Sequence, residues 1–145
     1  GRYQDALNDL NIWTALRADA TEYVYGKHVL YKDLLLSHYS ADLANEDHFI
    51  NSRYNASKFT ATGDELRFQK ALILAILDAR KLEFLREGIR HFDILRWFIP
   101  VYHATADGQR SELTPEDDRR VIQLPQVVSL SGVEQNPWSN VGAWY

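Results

Sequence analysis

Residues 80–97, RKLEFLREGIRHFDILRW, decide how this chain is read. At about 100° per residue, Leu82, Leu85, Ile89 and Phe92 fall within an arc of roughly 80°. Arg80, Glu83, Glu87 and Arg90 gather on the opposite side, in the sign order plus, minus, minus, plus. That pattern predicts an amphipathic helix whose polar stripe neutralises itself. Gly88 interrupts it and lowers helix propensity by about 1 kcal/mol relative to Ala. The expectation is that Gly88 admits the backbone of a neighbouring segment.

Working outward, the helical pattern starts well before this stretch. Thr62 followed three residues later by Glu65 reads as a capping box opening a helix at Gly63. The pattern runs to Ile99 and stops at Pro100, which has no amide hydrogen to donate. Residues 63–99 are long for one globular helix, so a bend or break is expected near Gly88. Upstream, Tyr3, Leu7, Leu10 and Trp13 share one stripe, with Ala6 beside them to allow close helix contact. Residues 29–39, with Leu34, Leu35 and Leu36 in succession, read as a buried segment. Asn51, Ser52, Asn55, Ser57 and Gly63 mark a polar loop. After Pro100, Asp107-Gly108 signals a turn and Thr114-Pro115-Glu116-Asp117 a short capped turn. Residues 121–130 are β-prone, with Pro125 confining them to an edge or an extended path. The expected class is mainly α, with an irregular tail that has room for short β segments. The expected organisation is 1–45 helical and repeat-like, 46–62 loop, 63–99 long amphipathic helical region and 100–145 irregular tail.

Composition narrows the function. The chain has 145 residues, 46% hydrophobic and 25% charged, the balance of an ordinary globular domain. Its net charge of −4, with no face gathering Lys and Arg, argues against nucleic acid as a partner. No apolar run reaches the length of about 18 residues that a membrane helix needs. There is no Cys, which removes disulfides, thiol chemistry and Cys-ligated zinc. There is no Met either, and a helical pattern begins at once, so the chain is read as a piece of a longer protein.

Catalysis has no visible apparatus. Glu83 and Glu87, four residues apart, are the nearest approach to a glycosidase acid/base pair. Arg80 and Arg90 on the same stripe would keep both ionised, whereas a general acid needs a raised pKa. The stripe therefore reads as a structural ion-pair network. The five histidines, His28, His38, His48, His91 and His103, show no metal-binding spacing. His38 with Asp42, and Glu46 with His48, come nearest to paired ligands and read as exposed loop residues. No nucleophile elbow, phosphate loop or dinucleotide fingerprint is present, so no cofactor and no metal is expected. Aromatic residues make up 12% of the chain, and Trp and Tyr rings suit the apolar faces of sugars. Tyr23, Tyr25, Tyr31 and Tyr39, outside the clearest stripes, are the candidate carbohydrate platform, against the alternative that they fill the core. Trp13 and Trp97 read as packing anchors.

Three stretches carry a family resemblance. Residues 87–97, EGIRHFDILRW, resemble the run EG-x-R-x-x-D-L-x-R-W near the C-terminus of the SusD/RagB family of surface lipoproteins. In the tail, Leu124-Pro125 and Gln135-Asn136-Pro137 follow that family's order, while Val127 replaces a second proline and Trp138 a glycine. GRYQDALNDLN at the start resembles the second helix of a tetratricopeptide hairpin. The resemblance implies a mainly helical fold with tetratricopeptide-like helices and an irregular tail. It implies the C-terminal portion of an outer-membrane, surface-exposed lipoprotein, tethered by an N-terminal lipid anchor outside this chain. It implies capture of a glycan or glycopeptide and its hand-over to a SusC-like TonB-dependent porin, with no bond cleavage. Ligand-contacting aromatics of the family lie mostly upstream, so this chain by itself is expected to bind glycans weakly or not at all. The rival readings are a helical-repeat scaffold for protein partners and a glycosidase using Glu83 and Glu87.

Overall fold

In the computed structural model, residues 2–52, 61–104, 106, 108, 110–114 and 117 are described. Among them, seven helices are followed by two strands: α1 (Tyr3–Leu16), α2 (Ala18–Tyr25), α3 (Lys32–His38), α4 (Ser40–Ala44), α5 (Phe49–Ser52), α6 (Gly63–Glu83), α7 (Ile89–Trp97), β1 (Val101–Ala104) and β2 (Arg110–Leu113). The chain is mainly α. It divides into two compact units, Gly1–Asp93 and Ile94–Tyr145.

In the first unit α6 is the central element, packed against α1, α3 and α4. Phe68, Ala71, Leu72 and Ala75 are buried at i, i+3, i+4, i+7 spacing, and Leu74 and Leu77 extend the apolar surface around the helix. Onto this axis α1 brings Leu7 and Leu10, α3 brings Leu35 and α5 brings Phe49 and Ile50, all buried. Asn11 fixes the segment between α2 and α3. Its amide donates to the Leu30 carbonyl at 2.8 Å and accepts from the Leu30 amide at 2.7 Å. Asn51 does similar work below α6, donating to the carbonyls of Asp42 and Asn45 and accepting from Lys70 Nζ at 2.8 Å. Burial lowers the Lys70 pKa from its ordinary value.

Three sequence expectations change. Helix α6 begins at Gly63, but Thr62 makes no side-chain capping bond. Gly63 is left-handed, at φ 56°, where the capping geometry calls for a right-handed first helical residue. The long helix does break: residues 84–88 leave the helical path, with Arg86 at φ 71° and Gly88 at φ 74°. Among the described residues Gly88 has no close approach to admit, because a Cβ added there meets none of them within 4 Å. Its use is the left-handed conformation that lets α6 end and α7 begin in a new direction. The break also dissolves the apolar stripe, since a helical wheel holds only while the helix is continuous. Leu85 is 71% exposed and Phe92 63% exposed, while Leu82 and Ile89 are half-buried.

In the second unit, β1 and β2 form an antiparallel hairpin, with Val101 opposite Leu113 and Ala104 opposite Arg110. Gly108 lies in its connection at φ 78°. The β-prone stretch 121–130, the tail matches at Leu124-Pro125 and Gln135-Asn136-Pro137, and loop residues Asn55 and Ser57 lie outside the described residues.

Candidate functional site

The four candidate tyrosines separate according to helix geometry. Tyr23 and Tyr25 are two positions apart on α2, about 200° around the axis, so they face opposite ways. Tyr25 turns inward with the buried Thr21 one turn before it, and Tyr23 turns outward, 88% exposed. Tyr39, at the end of α3, is 4% exposed. Tyr31, directly before α3, is half exposed and stands outside the cluster. The expected four-ring platform therefore becomes one surface ring above an inner pair.

The inner pair is a hydrogen-bond relay. The Tyr39 hydroxyl donates to Asp78 Oδ2 at 2.6 Å, and the hydroxyls of Tyr25 and Tyr39 lie 2.8 Å apart. Because Tyr39 gives its proton to a carboxylate that only accepts, Tyr25 is the donor of the second bond. The two rings meet edge to face at 6.3 Å, with His38 edge-on to both. Burial raises the Tyr25 phenol to about 12, with the Asp78 charge adding and the bond to Tyr39 opposing. Burial, with the charges of Tyr25 and Asp78, also drives the Tyr39 phenol far above its ordinary value. Both phenols stay protonated and keep the relay pointing toward Asp78.

Asp78 is also where the relay reaches the surface. A cleft of about 500 Å³ is lined by Tyr23, Val24, Asp78, Lys81 and Leu82. Tyr23 and Val24 come from α2, the other three from one face of α6 at i, i+3, i+4. The cleft thus presents an exposed phenol ring, an aliphatic floor, one carboxylate and one ammonium. That mixture suits a polyhydroxylated ring: the aromatic face meets its C–H surface, and the charged groups accept from and donate to its hydroxyls. Asp78 and Lys81 drew no attention in the sequence. Only their one-face spacing on a helix could have pointed to them, and that spacing recurs throughout α6.

A second cavity, about 360 Å³, lies between α1 and α6 beside Trp13, Ile76, Arg80, Glu83 and Phe84. Its charged groups are already committed. Arg17 donates to both Glu83 oxygens at 2.9 Å, and Trp13 Nε1 donates to Glu83 Oε2 at 3.2 Å. The Arg17 bonds, then the Trp13 bond, hold the Glu83 carboxyl below its ordinary value. Arg80 Nε binds both oxygens of Asp93, whose side chain is 2% exposed, at 2.9 and 3.2 Å. Arg90 donates to the Leu77 carbonyl at 3.3 Å. The expected charge network therefore exists with different partners: Glu83 pairs with Arg17 across 66 residues, and Arg80 pairs with Asp93 across the break. Glu83 and Glu87 lie on opposite sides of the α6 terminus rather than on one helix face. A depressed Glu83 is the reverse of a general acid.

The histidine pairs are also re-sorted. His48 lies 3.8 Å from Asp42, and burial lowers its pKa. His28 approaches Glu22 at 3.6 Å. Among the described residues, no group of three or more His, Asp or Glu could hold a metal ion. No helix among them is long and apolar enough to cross a membrane.

The sequence model of the SusD family, SusD/RagB, matches residues 18–137. The chain belongs to the SusD family. The match begins at the start of α2 and takes in the relay, the cleft and the helix break, as well as the EG-x-R run that first suggested the family. No curated protein and no solved structure gives a significant match to the chain. Membership makes this a member of a nutrient-binding family associated with outer-membrane uptake, not a typical enzyme family.

Proposed function

We infer that this chain is the C-terminal portion of a surface-exposed outer-membrane lipoprotein that holds a glycan or glycopeptide for a SusC-like TonB-dependent transporter. The cleft at Tyr23 contributes to that hold. The observation that carries the reading is the SusD family match across the segment that builds the cleft. Chemically, the cleft binds rather than cuts. It offers a ring to stack on, an acceptor and a donor, and no nucleophile beside a base.

A neutral sugar is favoured because Asp78 and Lys81 bring opposite charges to one cleft, three residues apart on α6. Their sum leaves no net field to select a charged ligand, while each still makes a charge-assisted bond to a hydroxyl. Part of a site supplied alone loses contacts and preorganisation, so binding by this chain is expected in the millimolar range.

The test is an NMR titration of the full chain with maltotriose, cellotriose and chitotriose, taken to tens of millimolar. Saturable shifts centred on Tyr23, Val24 and Leu82, lost in Tyr23→Ala, support the reading. Shifts at the Trp13 cavity instead, or none, remove the cleft from the ligand site. Release of reducing ends during the titration would overturn the assignment as a binding protein.

A further inference from the structure

The relay beneath the cleft ends on one oxygen of Asp78 and leaves the other. Oδ2 takes the Tyr39 proton at 2.6 Å. Oδ1 has no hydrogen bond to any described residue and is not one of the buried atoms lacking a partner, so it keeps solvent access on a side chain that lines the cleft. A carboxylate at the rim of a helix would ordinarily rotate about its last torsion and present either oxygen. Here a bond of 2.6 Å from a phenol that is itself held by Tyr25 removes that freedom. The holder is itself packed in place: Tyr39 is 4% exposed and meets both Tyr25 and His38 edge-on, and those two rings also touch each other.

We propose that Tyr39, backed by Tyr25, is a positioning residue that aims Asp78 Oδ1 into the cleft as an acceptor for one particular ligand hydroxyl. This rests on the glycan reading of the cleft. An ionised carboxylate only accepts, so the ligand must bring a donor to that point. Removing that hydroxyl leaves a charged acceptor without a partner, a loss that a site built on a fixed acceptor registers strongly. A freely rotating Asp78 would instead find another hydroxyl, and the site would be tolerant. The relay converts a general sugar contact into a selective one.

The experiment uses the trisaccharide that binds in the titration above, with its complete set of monodeoxy analogues, on the full chain. In the unsubstituted chain one deoxy position is expected to weaken binding by at least about tenfold, the others by little. Tyr39→Phe keeps the ring and removes the hydroxyl. It is expected to flatten that single penalty to within a few-fold while leaving the rest of the profile in place. Tyr25→Phe should flatten it partly, and it provides the same reading if Tyr39→Phe does not fold. Tyr23→Ala should weaken all analogues together. If Tyr39→Phe lowers affinity equally for every analogue, or leaves the profile unchanged, Tyr39 is structural and the positioning role is overturned while the glycan site stands. If no trisaccharide binds, the glycan reading fails and this role with it.

Discussion

Gly88 offers the sharpest test of how the deciding stretch works. Two accounts predict different costs for filling it. On the close-approach account a side chain collides with a neighbouring backbone, and cost rises with size. The structure supports the other account. The position lies at φ 74°, and a Cβ placed there meets nothing within 4 Å. An L-residue in that left-handed conformation costs about 1–2 kcal/mol. Restricting the unfolded chain returns about 0.4–1 kcal/mol of that. The net expectation is a loss of about 1 kcal/mol for Gly88→Ala and the same for Gly88→Leu, because nothing is there to be displaced. Gly88→Asn should lose less, since Asn tolerates the left-handed region. For a chain of this size that corresponds to a melting-temperature drop of about 2–4 °C for Ala and Leu alike. Differential scanning calorimetry on the three variants reads it directly. A Leu variant that melts far below the Ala variant, or fails to fold while Ala is tolerated, would refute the conformational account.

Three further outcomes follow from the same unit. Asn11→Ala strands both the amide and the carbonyl of Leu30, itself 2% exposed, and should cost about 2–4 kcal/mol in urea unfolding, with Asn11→Asp intermediate because it still accepts from the amide. The depressed Glu83 carboxyl contributes stability that is present above its ordinary value of 4.5 and is lost as pH falls through the lower folded value. A melting-temperature series into acid should therefore fall less steeply for Glu83→Gln than for the parent, and identical acid limbs would contradict the Arg17 pairing. The raised phenols act at the other end: their contribution is complete below the ordinary value of 10.0 and is lost as pH climbs through about 12 at Tyr25. Phenolate absorbance should show at least three tyrosines ionising later in the folded chain than in urea, Tyr25, Tyr39 and Tyr102 beside the charge of Glu112, and one fewer in Tyr25→Phe.

The main features legible in the sequence are those whose cause is local. Helix α6 starts at Gly63 and a break falls near Gly88 because periodicity, glycine and proline act within a few residues. The EG-x-R signature places the family for the same reason, being a contiguous string of side chains. The chain's helical class and its lack of thiol chemistry were likewise decided by pattern and composition. Even here, local reading overreached where it extrapolated. It gave Gly88 a close neighbour where none of the described residues lies within 4 Å, and it drew one apolar face across a helix that stops and restarts.

The sequence offered the tyrosines of the candidate site, and tertiary structure decided their roles and their partners. Four tyrosines of equal standing in the sequence became one surface ring, two members of a buried relay and one bystander. That sorting depends on which face of α2 and which end of α3 meets α6. Asp78 and Lys81 are ordinary charged positions on α6 until α2 is laid beside them. The arginines followed the same rule: Glu83 chose Arg17 over the nearby Arg80, and Arg80 chose Asp93. Charges pair with whatever the fold brings within about 4 Å, and a wheel drawn on one helix holds no information about the helix beside it.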